Sequence, residues 1–173
     1  DTSKVIVFTT FRRTIAFLER ELRRFGVRPV VLHGDVKPED RTQRIGTFRE
    51  TPELRVMLTT EVGSEGLDFQ FCDVIVNYDL PWNPMRVEQR IGRIDRLGQK
   101  SRTVSVINLL SEGTIDERIY SKLYERLKIC EQALGSFEAT LGELLRELTV
   151  ELLRGSLTPE QEESLIDQQA RAI

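Results

Sequence analysis

The chain has 173 residues, of which 39% are hydrophobic and 31% charged, enough apolar material for the core of one domain with an appendage. No run approaches the roughly 18 apolar residues that span a bilayer, which excludes a membrane protein. Cys72 and Cys130 are the only cysteines, too few for a disulfide framework or a zinc cluster, which predicts a reducing, intracellular location.

The net charge of −3 is unevenly distributed. Residues 1–130 carry 22 Lys+Arg against 19 Asp+Glu, and residues 131–173 carry 3 against 9, so a mildly basic body precedes an acidic tail. The net charge therefore does not argue against a nucleic-acid partner for the body. The sequence begins at Asp1 without Met, which predicts a piece of a longer polypeptide.

Strand and helix patterns alternate up to Leu109. Short β-branched apolar runs predict strands, and apolar residues at helical spacing predict the helices between them. The predicted strands are Lys4–Thr9, Arg28–Leu32, Leu54–Leu58, Val74–Val76 and Val104–Leu109, and the predicted helices are Phe11–Phe25, Pro38–Arg49 and Pro84 to about Gln99. This order predicts an α/β fold with a parallel sheet in three layers and with ligands at the carboxyl ends of the strands.

The rest of the chain is predicted to be helical. Thr114-Ile115-Asp116-Glu117 is a capping box for a helix to about Leu134, and further helices are predicted over Leu141–Leu153 and after Thr158. We therefore predict an α/β domain over residues 1–112 and a helical region over residues 113–173. The last helices offer a packing surface or a surface for a protein partner.

The predicted helix over residues 84–99 belongs to a segment, NPMRVEQRIGRIDRLGQ, that contains four arginines. At about 100° per residue, one of its stripes is apolar and another carries Gln89, Arg93 and Arg96. Forked, permanently charged guanidiniums suit phosphate oxygens, but an arginine face is also typical of a merely solvated surface. Gly92 inside the helix suggests close approach of another backbone or of a ligand.

Small, hydroxylic or cationic residues follow the first three predicted strands. Thr9 and Thr10 follow the first, and His33 and Gly34 follow the second. The third is followed by TTEVGSEGLDF, residues 59–69, whose two glycines and three hydroxyls allow backbone N–H groups to approach a phosphate closely. Each feature also has a structural interpretation, because glycine-rich loops are often turns and a lone histidine is more often structural than catalytic.

Three segments carry a resemblance to one family. QRIGRIDRLGQ, residues 89–99, resembles motif VI of the superfamily 2 helicases and translocases, and its Arg-Leu-Gly-Gln ending is similar to the Swi/Snf branch. TEVGSEGLD, residues 60–68, is similar in register to motif V, and VIVFTTF, residues 5–11, resembles motif IV. Glu65 stands where DEAD-box proteins have arginine, and the surrounding Ser-Glu-Gly resembles the bacterial RapA-like members.

The resemblance implies the second of two RecA-like lobes in a DNA-dependent ATPase, followed by a helical brace. Gln89, Arg93 and Arg96 would face the nucleotide, with the two arginines as arginine fingers. Gly66 and Asp68 would lie near the ATP sugar and phosphates. The residues it implies at the nucleic acid are Thr60, Thr9, Thr10, His33 and Gly34.

A complete ATPase also needs parts that this sequence lacks, namely a GxxxxGK[ST] phosphate loop and an acidic magnesium-binding box. The resemblance therefore implies that ATP and Mg²⁺ are held by a first lobe elsewhere in the polypeptide, that this chain carries no metal ligand, and that it is inactive alone. The expected partners are that lobe and DNA, duplex DNA before RNA, in the cytoplasm at a bacterial nucleoid. The alternatives are a non-enzymatic α/β signalling or binding module such as a flavodoxin-like domain, an isolated binding scaffold, and an RNA helicase lobe.

Overall fold

A parallel five-stranded sheet organises the computed structural model of the chain. The structure describes residues 3–64, 66–81, 84–114, 117, 158, 160–161, 164–165 and 168. The predicted helices over 115–134 and 141–153 lie almost entirely outside these residues. Residues 1–80 with 88–109 form one compact unit, and the described parts of 81–87 and 110–173 belong to a second.

The sheet has the strand order β2-β3-β1-β4-β5, and every neighbouring pair is parallel. Its strands are β1 Val5–Phe8, β2 Val30–Leu32, β3 Val56–Thr59, β4 Val74–Asn77 and β5 Ser105–Asn108. The predicted α/β class and parallel sheet are confirmed, with strand boundaries shifted by one or two residues. Because all five strands run the same way, their carboxyl ends lie along one side of the sheet, which we call the carboxyl edge.

The helices of the described residues are α1 Arg12–Arg24, α2 Pro38–Glu50, α3 Glu61–Ser64 and α4 Pro84–Ile91. Helix α1 ends at Arg24, and Gly26, just after the C-cap Phe25, has a φ of 78°, the left-handed conformation that favours glycine past a helix end. Pro38 opens α2 with two acidic residues in its first turn, where the helix dipole favours them.

The main core lies between the sheet and α2. Ile6, Phe8 and Met57 are fully buried there together with Phe48 of α2. Strand side chains alternate between faces, and the buried Leu58 lies on the opposite face, where α1 packs beside β3. Helices on both faces of a parallel sheet give the predicted three layers.

Two elements differ from the sequence prediction. The predicted helix over 84–99 ends at Ile91, and after the bond from the Gly92 N–H to the Glu88 carbonyl (2.8 Å) the chain continues in tight turns. A Cβ on Gly92 would make only ordinary contacts with α4's own carbonyls, so no other described backbone lies close to Gly92, and the alternative of a ligand there stays a prediction. Conversely, the loop after β3 contains the short helix α3, which the sequence did not predict.

The two predicted capping motifs fall partly within the described residues. The Glu117 N–H donates to the Thr114 hydroxyl (3.4 Å), and the Gln161 N–H donates to the Thr158 hydroxyl (3.3 Å), while the Gln161 side chain accepts from the Thr158 N–H (2.8 Å). The second pair is a reciprocal capping box. Within the part of the chain that the structure describes, no helix has the length and apolarity to cross a bilayer.

Candidate functional site

The carboxyl edge brings the predicted nucleic-acid contacts of three strands together. The Thr9 N–H donates to the Thr59 carbonyl (3.1 Å), and the Thr60 N–H donates to the Leu32 carbonyl (3.2 Å). The residues that follow β1, β3 and β2 are therefore neighbours, and His33 directly follows β2. This clustering follows from the strand order, because β3 lies between β1 and β2.

Thr60 is the N-cap of α3. It is 6% exposed, and its hydroxyl accepts the Gly63 N–H (3.1 Å), which satisfies one of the free donors at the helix start. Gly63 lies against the main chain that leaves β2, since a Cβ on it would be 2.7 Å from the Leu32 oxygen and 2.9 Å from the His33 nitrogen. The glycine that requires a close approach is thus Gly63, and it docks α3 on the end of β2.

Thr9 and Thr10 share one acceptor, the carboxylate of Asp79. Asp79 Oδ1 accepts both the Thr10 N–H and the Thr10 hydroxyl, each at 2.8 Å, and Oδ2 accepts the Thr9 hydroxyl. Thr9 is fully buried, whereas Thr10 is exposed. Of the two predicted contacts, only Thr10 therefore presents a surface to a ligand, and Thr9 positions Asp79.

His33 and Gly34 belong to a tight loop held by α2. Arg41 donates to the carbonyls of Gly34 and Val36 (2.8 Å each), and the His33 Nδ1 accepts the Asp35 N–H (3.3 Å). His33 also lines an open cleft of about 500 Å³. The other residues lining this cleft are Arg12, Arg13, Ile15, Ala16, Glu19 and Val31.

Residues 92–99, which we call the arginine loop, pair with the segment that follows α3. The Phe69 N–H donates to the Arg93 carbonyl (2.9 Å), and Gln99 Nε2 donates to the Cys72 carbonyl (2.9 Å). Burial raises the pKa of the Cys72 thiol to about 12, so this thiol remains protonated and serves as apolar filling. The loop is therefore fixed at both ends to the segment between motifs V and VI.

Arg96 and Asp68 form an ion pair across these two segments, with 53% and 56% of their side chains exposed. The pairing brings the end of motif VI beside the segment that carries Asp68. Gln89 lies exposed on α4, whereas Arg93 and Arg96 follow the end of that helix. The sequence predicts that these three side chains share one helical face. That prediction is wrong, because the helix stops at Ile91.

Gly66 begins the segment that carries Asp68. Its φ of 73° is strained for any residue with a Cβ, while the space around a Cβ there is open. A positive φ next to open space allows a main-chain N–H to face an incoming group without a side chain in the way. Gly66 therefore has a backbone conformation that favours glycine, beside open space, and its position near a phosphate stays a prediction.

Arg90 is a functional candidate that the sequence reading missed. It is 2% exposed, and it donates to Asn77 Oδ1 (2.8 Å), to the Asp79 carbonyl (3.1 Å) and to Glu61 Oε1 (2.9 Å). Its guanidinium carbon lies 5.2 Å from the centre of the Phe8 ring. Arg90 thereby joins α4 to the carboxyl ends of β1 and β4 and to the start of α3.

The sequence does contain a signal for this residue. Arg90 stands three positions after Val87 and four before Ile94, so it lies on the apolar stripe of the helix pattern. A cation on an apolar stripe requires buried acceptors, since an unpaired buried charge is costly.

Comparison with known proteins identifies the class. Residues 1–98 match the family model described as the helicase conserved C-terminal domain. The chain is 40% identical over 141 residues to the ATP-dependent helicase YqhH of Bacillus subtilis, covering 82% of this chain and 25% of that protein. It is 35% identical over 169 residues to the RNA polymerase-associated protein RapA of Photobacterium profundum, covering 96% and 17%.

Two solved structures share the fold. The C-terminal part of the Fun30 ATPase domain superposes with a TM-score of 0.65 at 24% identity, covering 69% of this chain and 38% of that one. The E. coli DEAD-box protein SrmB, in its complex with the regulator of ribonuclease activity A, superposes with a TM-score of 0.53 at 27% identity, covering 62% of each chain.

The chain belongs to the helicase conserved C-terminal domain family and is the second RecA-like lobe of a superfamily 2 ATPase of the Swi/Snf type. It spans a quarter of YqhH and about a sixth of RapA, so those proteins are much longer than the lobe.

Proposed function

We propose that this lobe completes the active site of a nucleic-acid-dependent ATPase and translocase. In this proposal Arg93 and Arg96 are arginine fingers for ATP bound on a first lobe, and Gln89 faces the same nucleotide. Gly66 and Asp68 lie at its sugar and phosphates. Mg²⁺ would be held by the first lobe, where it neutralises charge on the phosphates.

The observation that carries the proposal is the exposed pair of Arg96 and Asp68. Because both side chains are more than half exposed, the pair contributes little to stability, of the order of 0–1 kcal/mol. Its guanidinium can therefore move to a triphosphate, which carries more charge than one carboxylate, at small cost. While the Arg96 side chain moves, the hydrogen bonds at Arg93 and Gln99 keep the main chain of the arginine loop in place. A main chain fixed in this way is preorganised for the stabilisation of a transition state.

Nucleic acid would be gripped at the carboxyl edge by Thr10, Thr60 and the loop of His33 and Gly34, with Thr9 behind them. The Thr60 hydroxyl oxygen accepts the hydrogen bond from the Gly63 N–H. In this proposal the hydrogen of the same hydroxyl donates to a phosphate. Contacts of this kind carry no sequence information, so the grip is nonspecific. Closing of the two lobes on ATP and release after hydrolysis would then move the protein along its track.

DNA is the proposed track, and a protein assembly is the proposed target of remodelling. The relative RapA is named as RNA polymerase-associated, which favours a transcription complex over other assemblies. Glu65 in place of the DEAD-box arginine favours DNA over RNA. The lobe alone, without a phosphate loop, should not hydrolyse ATP.

The test uses the full-length protein with Arg93→Ala and Arg96→Ala made separately. ATP turnover is measured with and without duplex DNA, single-stranded DNA and RNA, together with the affinity for nucleotide and for DNA. Each substitution should lower kcat by about 10³-fold or more, as for other arginine fingers, while DNA binding changes little.

Arg102→Ala is the matched control, because Arg102 is an exposed arginine just before β5, at the end of the sheet away from the carboxyl edge. Its turnover should stay within a factor of about two of the unmodified protein, as expected for a surface substitution. Near-normal turnover in both Arg93→Ala and Arg96→Ala would refute the finger role.

A further inference from the structure

The carboxylate of Asp79 lies at the carboxyl edge, where hydrogen-bond donors converge on its oxygens. Both donors of the exposed residue Thr10, its N–H and its hydroxyl, point at Asp79 Oδ1 at 2.8 Å, and Thr9 donates to Oδ2. The main-chain N–H and the hydroxyl of Thr10 are donors that would also hold a phosphate oxygen, while the buried Thr9 hydroxyl holds the other oxygen of the carboxylate.

The main chain at Asp79 is fixed independently of its side chain. The Asp79 carbonyl accepts the buried guanidinium of Arg90 (3.1 Å), and the preceding Tyr78 N–H donates to the Phe8 carbonyl (2.9 Å). A rotation of the Asp79 side chain alone would therefore release the Thr10 donors without moving β4 or α4. Side-chain rotation of this kind is fast compared with motion of whole elements.

We propose that Asp79 is an internal competitor for the nucleic-acid backbone, which must displace its carboxylate from Thr10 before a phosphate can bind there. This inference rests on the proposed grip at Thr10 and adds a residue that sets its strength. The carboxylate opposes binding in two ways. It occupies the donors, and its negative charge repels the phosphate.

Removal of the charge should therefore tighten binding. A unit charge about 4 Å from a phosphate in a water-like dielectric changes the affinity by roughly fivefold. Asp79→Asn keeps one oxygen as the acceptor for the Thr10 donors. Its other oxygen becomes an NH₂ group, which can donate a hydrogen bond to the Thr9 hydroxyl oxygen, so we expect the fold to be retained. Asp79→Ser, which is also neutral and frees the donors entirely, serves as a second variant.

The experiment measures the affinity of the full-length protein for a fluorescent duplex DNA of mixed sequence, and for single-stranded DNA and RNA of the same sequence, at fixed low salt. Asp79→Asn should bind about fivefold more tightly than the unmodified protein, from the loss of the charge alone, and Asp79→Ser at least as tightly as Asp79→Asn, because it also frees the Thr10 donors. In a Thr10→Val background, which removes the hydroxyl but keeps the main-chain N–H, the same two substitutions should give a smaller gain, because one donor fewer then holds the phosphate at this position.

Glu53→Gln is the charge-matched control. Glu53 is exposed in the turn before β3, at the opposite end of the sheet, and its neutralisation should leave the affinity unchanged. Unchanged or weaker binding by both Asp79 variants would overturn the inference, as would a gain of the same size without the Thr10 hydroxyl. Failure of the unmodified protein to bind any of the three nucleic acids would instead refute the proposed function.

Discussion

Gly63 and Leu32 are in contact so close that a methyl group on Gly63 would lie 2.7 Å from the Leu32 main-chain oxygen. The obstacle is main chain, which cannot rotate aside as a side chain can. Helix α3 therefore sits on the end of β2 without an intervening side chain, and Thr60 at its start is held within hydrogen-bonding distance of Leu32. This contact defines the position of motif V on the carboxyl edge.

Gly63→Ala should consequently displace α3 and destabilise the fold. We expect a loss of about 1–3 kcal/mol, the usual cost of overpacking a rigid site, in the free energy of unfolding by urea. Gly46→Ala is the control, because Gly46 lies inside α2 and a Cβ there meets nothing within 4 Å. That substitution should be neutral or stabilising by up to about 1 kcal/mol, and an equal effect at both glycines would contradict the close-approach argument.

Lys4 holds together the end of α2 and the turn that leads to β3. Its ammonium donates to the carbonyls of Phe48 (2.6 Å), Thr51 (2.9 Å) and Leu54 (2.8 Å), and it lies 4.7 Å from the centre of the Phe48 ring. These carbonyls include the negative end of the α2 dipole, which favours a cation. Lys4→Met should cost about 2–4 kcal/mol of stability, since it removes the charged donor from acceptors that are partly buried.

The exposed Lys37→Met supplies the comparison and should change stability by no more than about 0.5 kcal/mol. The pH dependence gives a second measurement. Burial lowers the pKa of Lys4 from 10.5, so the unfolded chain binds more protons than the folded chain in the alkaline range below 10.5. Stability should therefore rise with pH through that range in the unmodified chain relative to Lys4→Met. A flat difference between the two would argue that the ammonium is not desolvated.

The architecture was largely predictable from the sequence because it depends on local patterns. Runs such as Val5–Phe8 and Val56–Thr59 are apolar and β-branched, which specifies buried strands of a parallel sheet before any contact is known. Helix α3 was missed because four residues are too few to show a helical period. The early end of α4 at Ile91 was missed because Arg93 and Ile94 continue the amphipathic pattern after the helix has stopped.

For the candidate site, the sequence predicts where the residues lie in the fold but not which side chains they contact. That Thr10, Thr60 and His33 follow strands could be read from the sequence, and parallel strands then bring them to one edge. Their partners could not be read, because Asp79 is 69 residues from Thr10 and the contact depends on the register of β1 against β4. The resemblance to family motifs identifies residues expected to contact ligands, such as Thr10. It does not identify a carboxylate that contacts such a residue, as Asp79 does.

The pairing of Arg90 with Glu61, 29 residues away, is a contact of this long-range kind that substitutions can test. The Arg90 guanidinium is buried against Asn77, the Asp79 carbonyl and Glu61, and Glu61 keeps 27% of its side chain exposed. Arg90→Met should destabilise the chain by about 3–5 kcal/mol in urea denaturation, as expected when one partner of a buried pair is removed.

Glu61→Gln should cost far less than Arg90→Met, because the amide oxygen still accepts from Arg90. The double variant should be more stable than the sum of the single losses predicts, with a coupling of about 1–3 kcal/mol, since the second substitution removes the carboxylate that the first leaves behind. Arg86→Met on the exposed side of α4 should cost less than about 1 kcal/mol, as expected for an exposed arginine. Strict additivity between Arg90 and Glu61 would mean that α4 is joined to α3 by other contacts.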